Sequence, residues 1–224
     1  MLGLGSRRGE VPLPAGSLLL YLVTDAAACR GRDLAETVEA ALGGGVTMLQ
    51  YREKSAPEGE ARAAGSLLRD LCRRRGIPFI VNDRVDLALA LGADGVHLGR
   101  EDMTPAAARR LLGEGAIIGL SVGSAAEAAE EERRGADYLG ASPVFSTPTK
   151  PDAGPPLGLS GLRELVAATT LPVVAIGGIG RTNAAQVMAC GCAGIAVVSA
   201  ILSADDPEAA AHGLLATVAN GRSS

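Results

Sequence analysis

Aromatic side chains are scarce in this sequence: 2% of residues, with no tryptophan, three tyrosines and two phenylalanines. A binder of single-stranded nucleic acid needs aromatic platforms for its bases, so the scarcity argues against one. There is no basic excess either. The net charge of −4 does not supply the positive face that a phosphate backbone requires. Nucleic acid is therefore not an expected partner. No stretch approaches the roughly 20 uninterrupted apolar residues of a membrane helix. The opening MLGLGSRRGEVPLPAG has no long apolar run after its arginines, as a secretory signal would. The four cysteines are Cys29, Cys72, Cys190 and Cys192. Only the last two are close, and no histidine or cysteine follows them at zinc-site spacing. They read as buried free thiols in a reducing compartment. These absences leave a cytoplasmic globular protein with no membrane partner.

Short apolar runs are abundant. LLLYLVTD, GVTMLQYRE, PFIVND, GVHLG, AIIGLSVG, YLGASPVF, PVVAIGGI and GIAVVSAI follow one another along the chain. Most are continuously apolar rather than alternating, as expected of parallel strands covered on both faces. Amphipathic stretches such as Glu58–Arg75 and Ala125–Arg134 lie between them. Gly76, Gly92, Gly135 and Gly191 stand at the ends of such stretches, where a helix commonly closes on a left-handed residue. Val46, Val96, Leu139 and Ile195 each follow a glycine-rich turn, at intervals of roughly 50 residues that hold two strand–helix units apiece. Eight units fill the chain. The expected fold is a single α/β domain, a parallel (β/α)₈ TIM barrel over residues 17–220, after a short disordered lead-in at 1–16. An open doubly wound sheet usually carries G-x-G-x-x-G after its first strand, and YLVTD is followed by no such turn. The Pro-rich segment STPTKPDAGPP, Ser146–Pro156, has the composition of a linker. It follows the sixth strand, however, and too little chain remains beyond it for a second core. It is expected to be a loop at the C-terminal face, where barrel enzymes keep their active sites.

In QYREK, strand alternation puts Gln50, Arg52 and Lys54 on one face with Met48 and Val46. If Val46 and Met48 fill the barrel, the two cations emerge at its mouth, where an anion is expected. Asp83 ends the third strand after Asn82, and Asp102 follows the fourth. Adjacent strands lie about 4.8 Å apart, so these carboxylates could share Mg²⁺ and a substrate phosphate. Separate roles as helix N-caps are the other reading, with Thr104 before Pro105 a further cap candidate. Ser121 ends the fifth strand without an evident histidine–acid partner, so it reads as a hydrogen-bonding group or a turn serine rather than a nucleophile. AIGGIG and VVSAI end the last two strands. Gly177, Gly178 and Ser199 there suit a phosphate held by backbone N–H groups, or a plain tight turn. His97 reads as a hydrogen-bonded barrel residue, His212 as exposed, and Asp25 as a residue of the mouth without an assigned role.

Together GVTMLQYREK, NDRVDLALALGADGVHLGREDM, IIGLSVGS, ADYLGASPVFSTPTKPDAGPPLGL and VVAIGGI resemble the thiamine-phosphate synthase family over nearly the whole chain. The resemblance implies a transferase that joins hydroxymethylpyrimidine diphosphate to thiazole phosphate and releases pyrophosphate. It implies that Gln50, Arg52, Lys54, Asn82, Ser121 and Lys150 contact the pyrimidine diphosphate, with Arg52, Ser121 and Lys150 serving catalysis. It further implies that Asp83 and Asp102 bind Mg²⁺, and that Thr147, Thr149, Gly178, Val198 and Ser199 hold the thiazole phosphate. The sequence departs from the family where Val122-Gly123 follow Ser121, since many relatives carry a histidine two residues after that serine. Ser142 and Ser146 stand where glycine and proline are common. Two other functions are compatible with the scaffold: a related thiazole tautomerase, and a non-catalytic barrel that binds a phosphorylated ligand. Nothing in the sequence fixes the oligomeric state.

Overall fold

The computed structural model describes residues 13–147, 149 and 154–221, apart from the side chain of Arg133. Most of the expected lead-in, and Lys150, lie outside the described residues. Eight strands close in sequence order into one parallel barrel. They are β1 (Leu20–Val23), β2 (Met48–Tyr51), β3 (Phe79–Asn82), β4 (Gly95–Leu98), β5 (Ile117–Val122), β6 (Tyr138–Ala141), β7 (Val173–Ile176) and β8 (Gly194–Val197). The helices between them are α1 (Leu34–Gly43), α2 (Glu58–Arg75), α3 (Val85–Leu91), α4 (Pro105–Leu112), α5 (Ala125–Glu131), α6 (Gly158–Ala167) and α7 (Ala184–Met188), with α8 (Ser199–Leu202) and α9 (Pro207–Gly221) after β8. Among the described residues no helix is long and apolar enough to cross a membrane.

Alternation divides each strand between two cores. In β1, Leu20 and Leu22 join the layer between barrel and helices, while Tyr21 and Val23 point into the barrel. Phe79 and Val81 likewise face outward in β3 and Ile80 inward. Both faces are covered, which is why the runs read as continuously apolar. The strands themselves are shorter than those runs. Val46 is not inside the barrel as expected: β2 begins at Met48, and Val46 packs in the outer layer. Leu13 already packs against the inner cluster, before the first strand.

Helix ends follow local chemistry. α2 covers the expected Glu58–Arg75, with acids in its first turn, arginines in its last and a left-handed Gly76 closing it, an order that suits the helix dipole. Thr104 caps α4 by accepting from Ala107 N, with Pro105 at the first helical position. At the opposite end of the barrel a device repeats every second strand. The residue before β2, β4 and β6 accepts an N–H from the start of the preceding strand: Thr47 Oγ1 from Leu20 at 2.9 Å, Asp94 Oδ2 from Phe79 at 2.8 Å, Asp137 Oδ2 from Ile118, the second residue of β5, at 2.7 Å. Arg109 adds a brace there, donating to Asp137 and to the carbonyls of Glu114, Ala116 and Gly135.

Candidate active site

The C-terminal ends of the strands surround a cavity of about 540 Å³. Gln50, Arg52, Lys54, Asn82, Asp83, Ser121, Thr147, Thr149, Gly178, Val198 and Ser199 all line it. Asp102 is exposed and hydrogen-bonded to Asp83, and does not itself line the cavity. Lys150 falls outside the described residues.

The inward face of β2 carries Gln50, which is 4% exposed and donates through Nε2 to Tyr21 Oη at 2.9 Å. β2 ends at Tyr51, so Arg52 and Lys54 sit on the loop beyond it. Thr24 fixes the Arg52 backbone, its Oγ1 accepting from Arg52 N at 2.9 Å. The guanidinium lies 3.4 Å from Asp25, and both side chains are about four-fifths shielded, at 19% and 21% exposure. Asp25 also accepts from Ala27 N, capping a short 3₁₀ turn. Glu53 accepts from the N–H groups of Ser55 and Ala56 at 2.7 and 3.0 Å, which folds the loop and leaves Lys54 exposed. Those N–H groups, Ser55 first, hold the Glu53 carboxyl below the usual glutamate range.

Asp83 is not a helix cap. Its φ is +59°, a left-handed conformation that non-glycine residues adopt rarely and that clusters at functional sites. Arg84 occupies the N-cap position of α3 and makes no side-chain capping bond. Burial, and then the Asp102 carboxyl hydrogen-bonded to it, raise the Asp83 carboxyl to about 6, with Lys54 acting in the opposite direction. Asp102 also accepts from Gly99 N at 2.6 Å. Two carboxylates whose charges oppose each other, beside a lysine, make a site that a divalent cation would relieve. Among the described residues no group of three or more His, Cys, Asp or Glu side chains could hold a metal. The pair alone fits Mg²⁺, which takes one or two carboxylates and completes its shell with water and phosphate.

Ser121 has a histidine partner after all. Its Oγ lies 3.0 Å from His97 Nε2, because the β4–β5 register pairs His97 with Gly119, two residues before Ser121. The Nδ1 side of the ring faces the Tyr138 hydroxyl at 2.9 Å, a phenol where a catalytic triad has a carboxylate. The pairing was not legible, since it needs the register of two strands 24 residues apart.

The far side of the cavity joins two loops. After β6 the chain bonds onto the β7 end, Val144 N to Ile176 O and Phe145 N to Gly177 O. It returns with Leu157 N on Pro143 O and Gly158 N on Val144 O. The loop is thus clamped at its base, and its span carries Thr147 and Thr149 on the cavity wall. A Cβ at Gly178 would lie 2.8 Å from Ser146 O and 2.9 Å from Phe145 Cβ, so close approach of the two loops requires glycine there. Asn183, which sequence reasoning missed, frames the β7 turn by accepting from Gly180 N and donating to Gly178 O. Ser199 opens α8 on the same rim.

Residues 20–201 match the thiamine monophosphate synthase family. A thiamine-phosphate synthase of Chloroflexus aurantiacus is 54% identical over 199 residues, covering 89% of this chain and 92% of that protein. One from Desulfitobacterium hafniense is 50% identical over 196 residues, with 88% and 95% covered. The solved thiamine phosphate pyrophosphorylase of Pyrococcus furiosus superposes with a TM-score of 0.85 at 45% identity, covering 93% of this chain and 98% of that one. A barrel whose mouth gathers cations, a carboxylate pair and a glycine-framed rim therefore has its relatives among enzymes, and the chain belongs to the thiamine monophosphate synthase family of transferases in thiamine biosynthesis.

Proposed function

We propose that this cavity joins hydroxymethylpyrimidine diphosphate to thiazole phosphate, with release of pyrophosphate. The observation that carries the proposal is the convergence on one cavity of Arg52, Lys54, Asp83 with Asp102 hydrogen-bonded to it, and the rim around Gly178 and Ser199. Two phosphorylated substrates need two anion-binding regions, and one of them, a diphosphate, calls for a metal. Asp83 and Asp102 would hold Mg²⁺, which when bound supplies positive charge to the leaving diphosphate.

Gln50, Asn82 and Ser121 orient the pyrimidine; Arg52, Lys54 and Lys150 meet its diphosphate. The C–O bond at the methylene breaks with both electrons going to the diphosphate, and the cations stabilise the charge that develops. The aminopyrimidine ring donates electron density to the methylene left behind. The thiazole nitrogen then forms the C–N bond with its own lone pair. Thr147, Thr149, Gly178, Val198 and Ser199 hold the thiazole phosphate so that this attack is local. No proton transfer is needed for the balance, and no protein nucleophile. Water would compete for the electron-poor methylene, so the cavity must exclude it while the two substrates are held together.

The test is incubation with both substrates and Mg²⁺, followed by detection of thiamine phosphate and pyrophosphate. Thiazole isomerisation without either product would favour a tautomerase, and thiazole phosphate binding without reaction a binding barrel. Within the transferase reading, Lys150→Ala should lower turnover far more than it lowers stability, and Asp102→Ala should raise the Mg²⁺ concentration needed for half-maximal turnover. An unchanged Mg²⁺ titration removes Asp102 from the site.

A further inference from the structure

The barrel interior is apolar towards its N-terminal end and polar above. Five strands contribute to a single buried chain of hydrogen bonds. Gln50 Nε2 donates to Tyr21 Oη at 2.9 Å, Tyr21 Oη meets Tyr138 Oη at 2.9 Å, Tyr138 Oη meets His97 Nδ1 at 2.9 Å, and His97 Nε2 meets Ser121 Oγ at 3.0 Å. Both phenols are at most 1% exposed, and burial raises the pKa of each, so they keep their protons.

The sequence makes room for this chain. Gly119 lies between His97 on β4 and Tyr138 on β6 in the strand register. A Cβ there would stand 2.5 Å from His97 Nδ1 and 2.1 Å from Tyr138 Cζ. A Cβ at Gly140 would stand 3.0 Å from the His97 ring. Glycine inside a strand commonly marks such a close approach.

Counting hydrogens gives the chain a direction. Each phenol has one to give, and a neutral imidazole has one N–H. Gln50 gives an amide hydrogen to Tyr21, so the hydrogen of Tyr21 goes to Tyr138 and that of Tyr138 to Nδ1. The ring N–H then sits on Nε2 and points at Ser121 Oγ. The hydroxyl hydrogen of Ser121 is left to turn into the cavity. A break in this order would set two hydrogens or two lone pairs against each other in a buried site.

We propose that Tyr21, Tyr138 and His97 are positioning residues that make Ser121 a one-way donor into the cavity, by fixing His97 as its Nε2–H tautomer. The amide orientation of Gln50 at one wall thereby sets the polarity of the hydroxyl at the opposite wall. A ligand with a donor facing Gln50 Oε1 and an acceptor facing Ser121 matches both ends together. The reverse pattern meets a mismatch at both. The consequence for catalysis rests on the reading of Gln50 and Ser121 as pyrimidine contacts; the tautomer itself does not.

The sequence has two histidines, so ¹⁵N-histidine labelling of the full chain yields two imidazoles, and His97→Gln assigns them. Wild-type His97 should show a protonated Nε2 and an unprotonated, hydrogen-bonded Nδ1. A proton on Nδ1 overturns the proposal. Tyr138→Phe should move the Nδ1 resonance towards that of a ring nitrogen with no donor and lower kcat roughly five- to tenfold, about one hydrogen bond's worth, with KM for thiazole phosphate unchanged. Tyr21→Phe should lower kcat similarly, and the double variant no further, because the two act through one chain. Additive losses, or an unmoved Nδ1 resonance in Tyr138→Phe, would mean that the tyrosines only pack. The wild-type spectrum needs no substrate. A wild-type enzyme that forms product with Nδ1 protonated refutes the chain alone, and an inactive one with the expected tautomer refutes the function alone.

Discussion

Gly119→Ala would drive a methyl group into two buried rings inside the barrel. The new Cβ would lie 2.1 Å from Tyr138 Cζ, 2.3 Å from its Oη and 2.5 Å from His97 Nδ1, where carbon contacts settle near 3.5–4.0 Å. Neither atom group is the loose end of a flexible chain. One ring is fully buried and the other nearly so, so one of them must leave its place. Overpacking of this kind costs about 1–3 kcal/mol. Displacing Tyr138 also breaks its bonds to Tyr21 and to His97, each worth about 1 kcal/mol net, and more if a partner is left unsatisfied. The total is about 3–5 kcal/mol, a large share of the stability of an ordinary domain. Gly140→Ala meets only the His97 ring, at 3.0 and 3.3 Å, which a shift of a few tenths of an ångström relieves; about 1 kcal/mol is expected. Gly59, in the first turn of α2, has nothing within 4 Å of its Cβ position, so Gly59→Ala should stabilise by about 0.5 kcal/mol. Urea denaturation followed by far-ultraviolet circular dichroism measures all three. Equal costs at Gly119 and Gly140, or a cost at Gly119 below that at Gly140, would refute the reasoning.

Two further perturbations probe other parts of the molecule. Arg109→Ala removes the donor shared by Asp137 and three carbonyls and should cost on the order of 2 kcal/mol; a melting temperature within a degree of wild type would show that water replaces the guanidinium without loss. Glu53 has its carboxyl held low in the folded state, so its contribution is present above the ordinary glutamate pKa and is lost as pH falls through the depressed folded value. The gap in melting temperature between wild type and Glu53→Gln should therefore be open at pH 7 and narrow progressively as pH falls below the ordinary glutamate value of about 4.3. A gap that does not change with pH across the acid range would assign the difference to something other than the charge.

The sequence announced the architecture because the signals for it are local. α2 could be bounded to the residue from its acids, its arginines and Gly76. The eight-unit count followed from turn spacing. Strand ends were less legible: Val46 extends the apolar run of β2 but lies before the strand, in the outer layer. The cavity lining was readable where a charged residue stood at a strand end, as with Arg52 and Asp83. What could not be read depends on register. Tyr21 and Tyr138 are 117 positions apart and meet only across a closed barrel. Tyr21 could have been suspected, since alternation puts it inside with Val23. Its partners could not. The left-handed backbone of Asp83 was equally hidden, because no rule of composition distinguishes it from an N-cap.

The stapled strand starts also say something about how the barrel is assembled. Thr47, Asp94 and Asp137 each tie a pair of strands, and the equivalent place before β8 is Ala193, whose N–H bonds Val173 O but whose methyl can accept nothing in return. The domain is thus a fourfold quasi-repeat with one quarter left unlatched. Opening should begin at that quarter, and the amide of Val173 should exchange with solvent faster than those of Leu20, Phe79 and Ile118. Ala193→Asp offers the missing latch, and with it a way to ask whether a tighter closure between β7 and β8 slows that exchange.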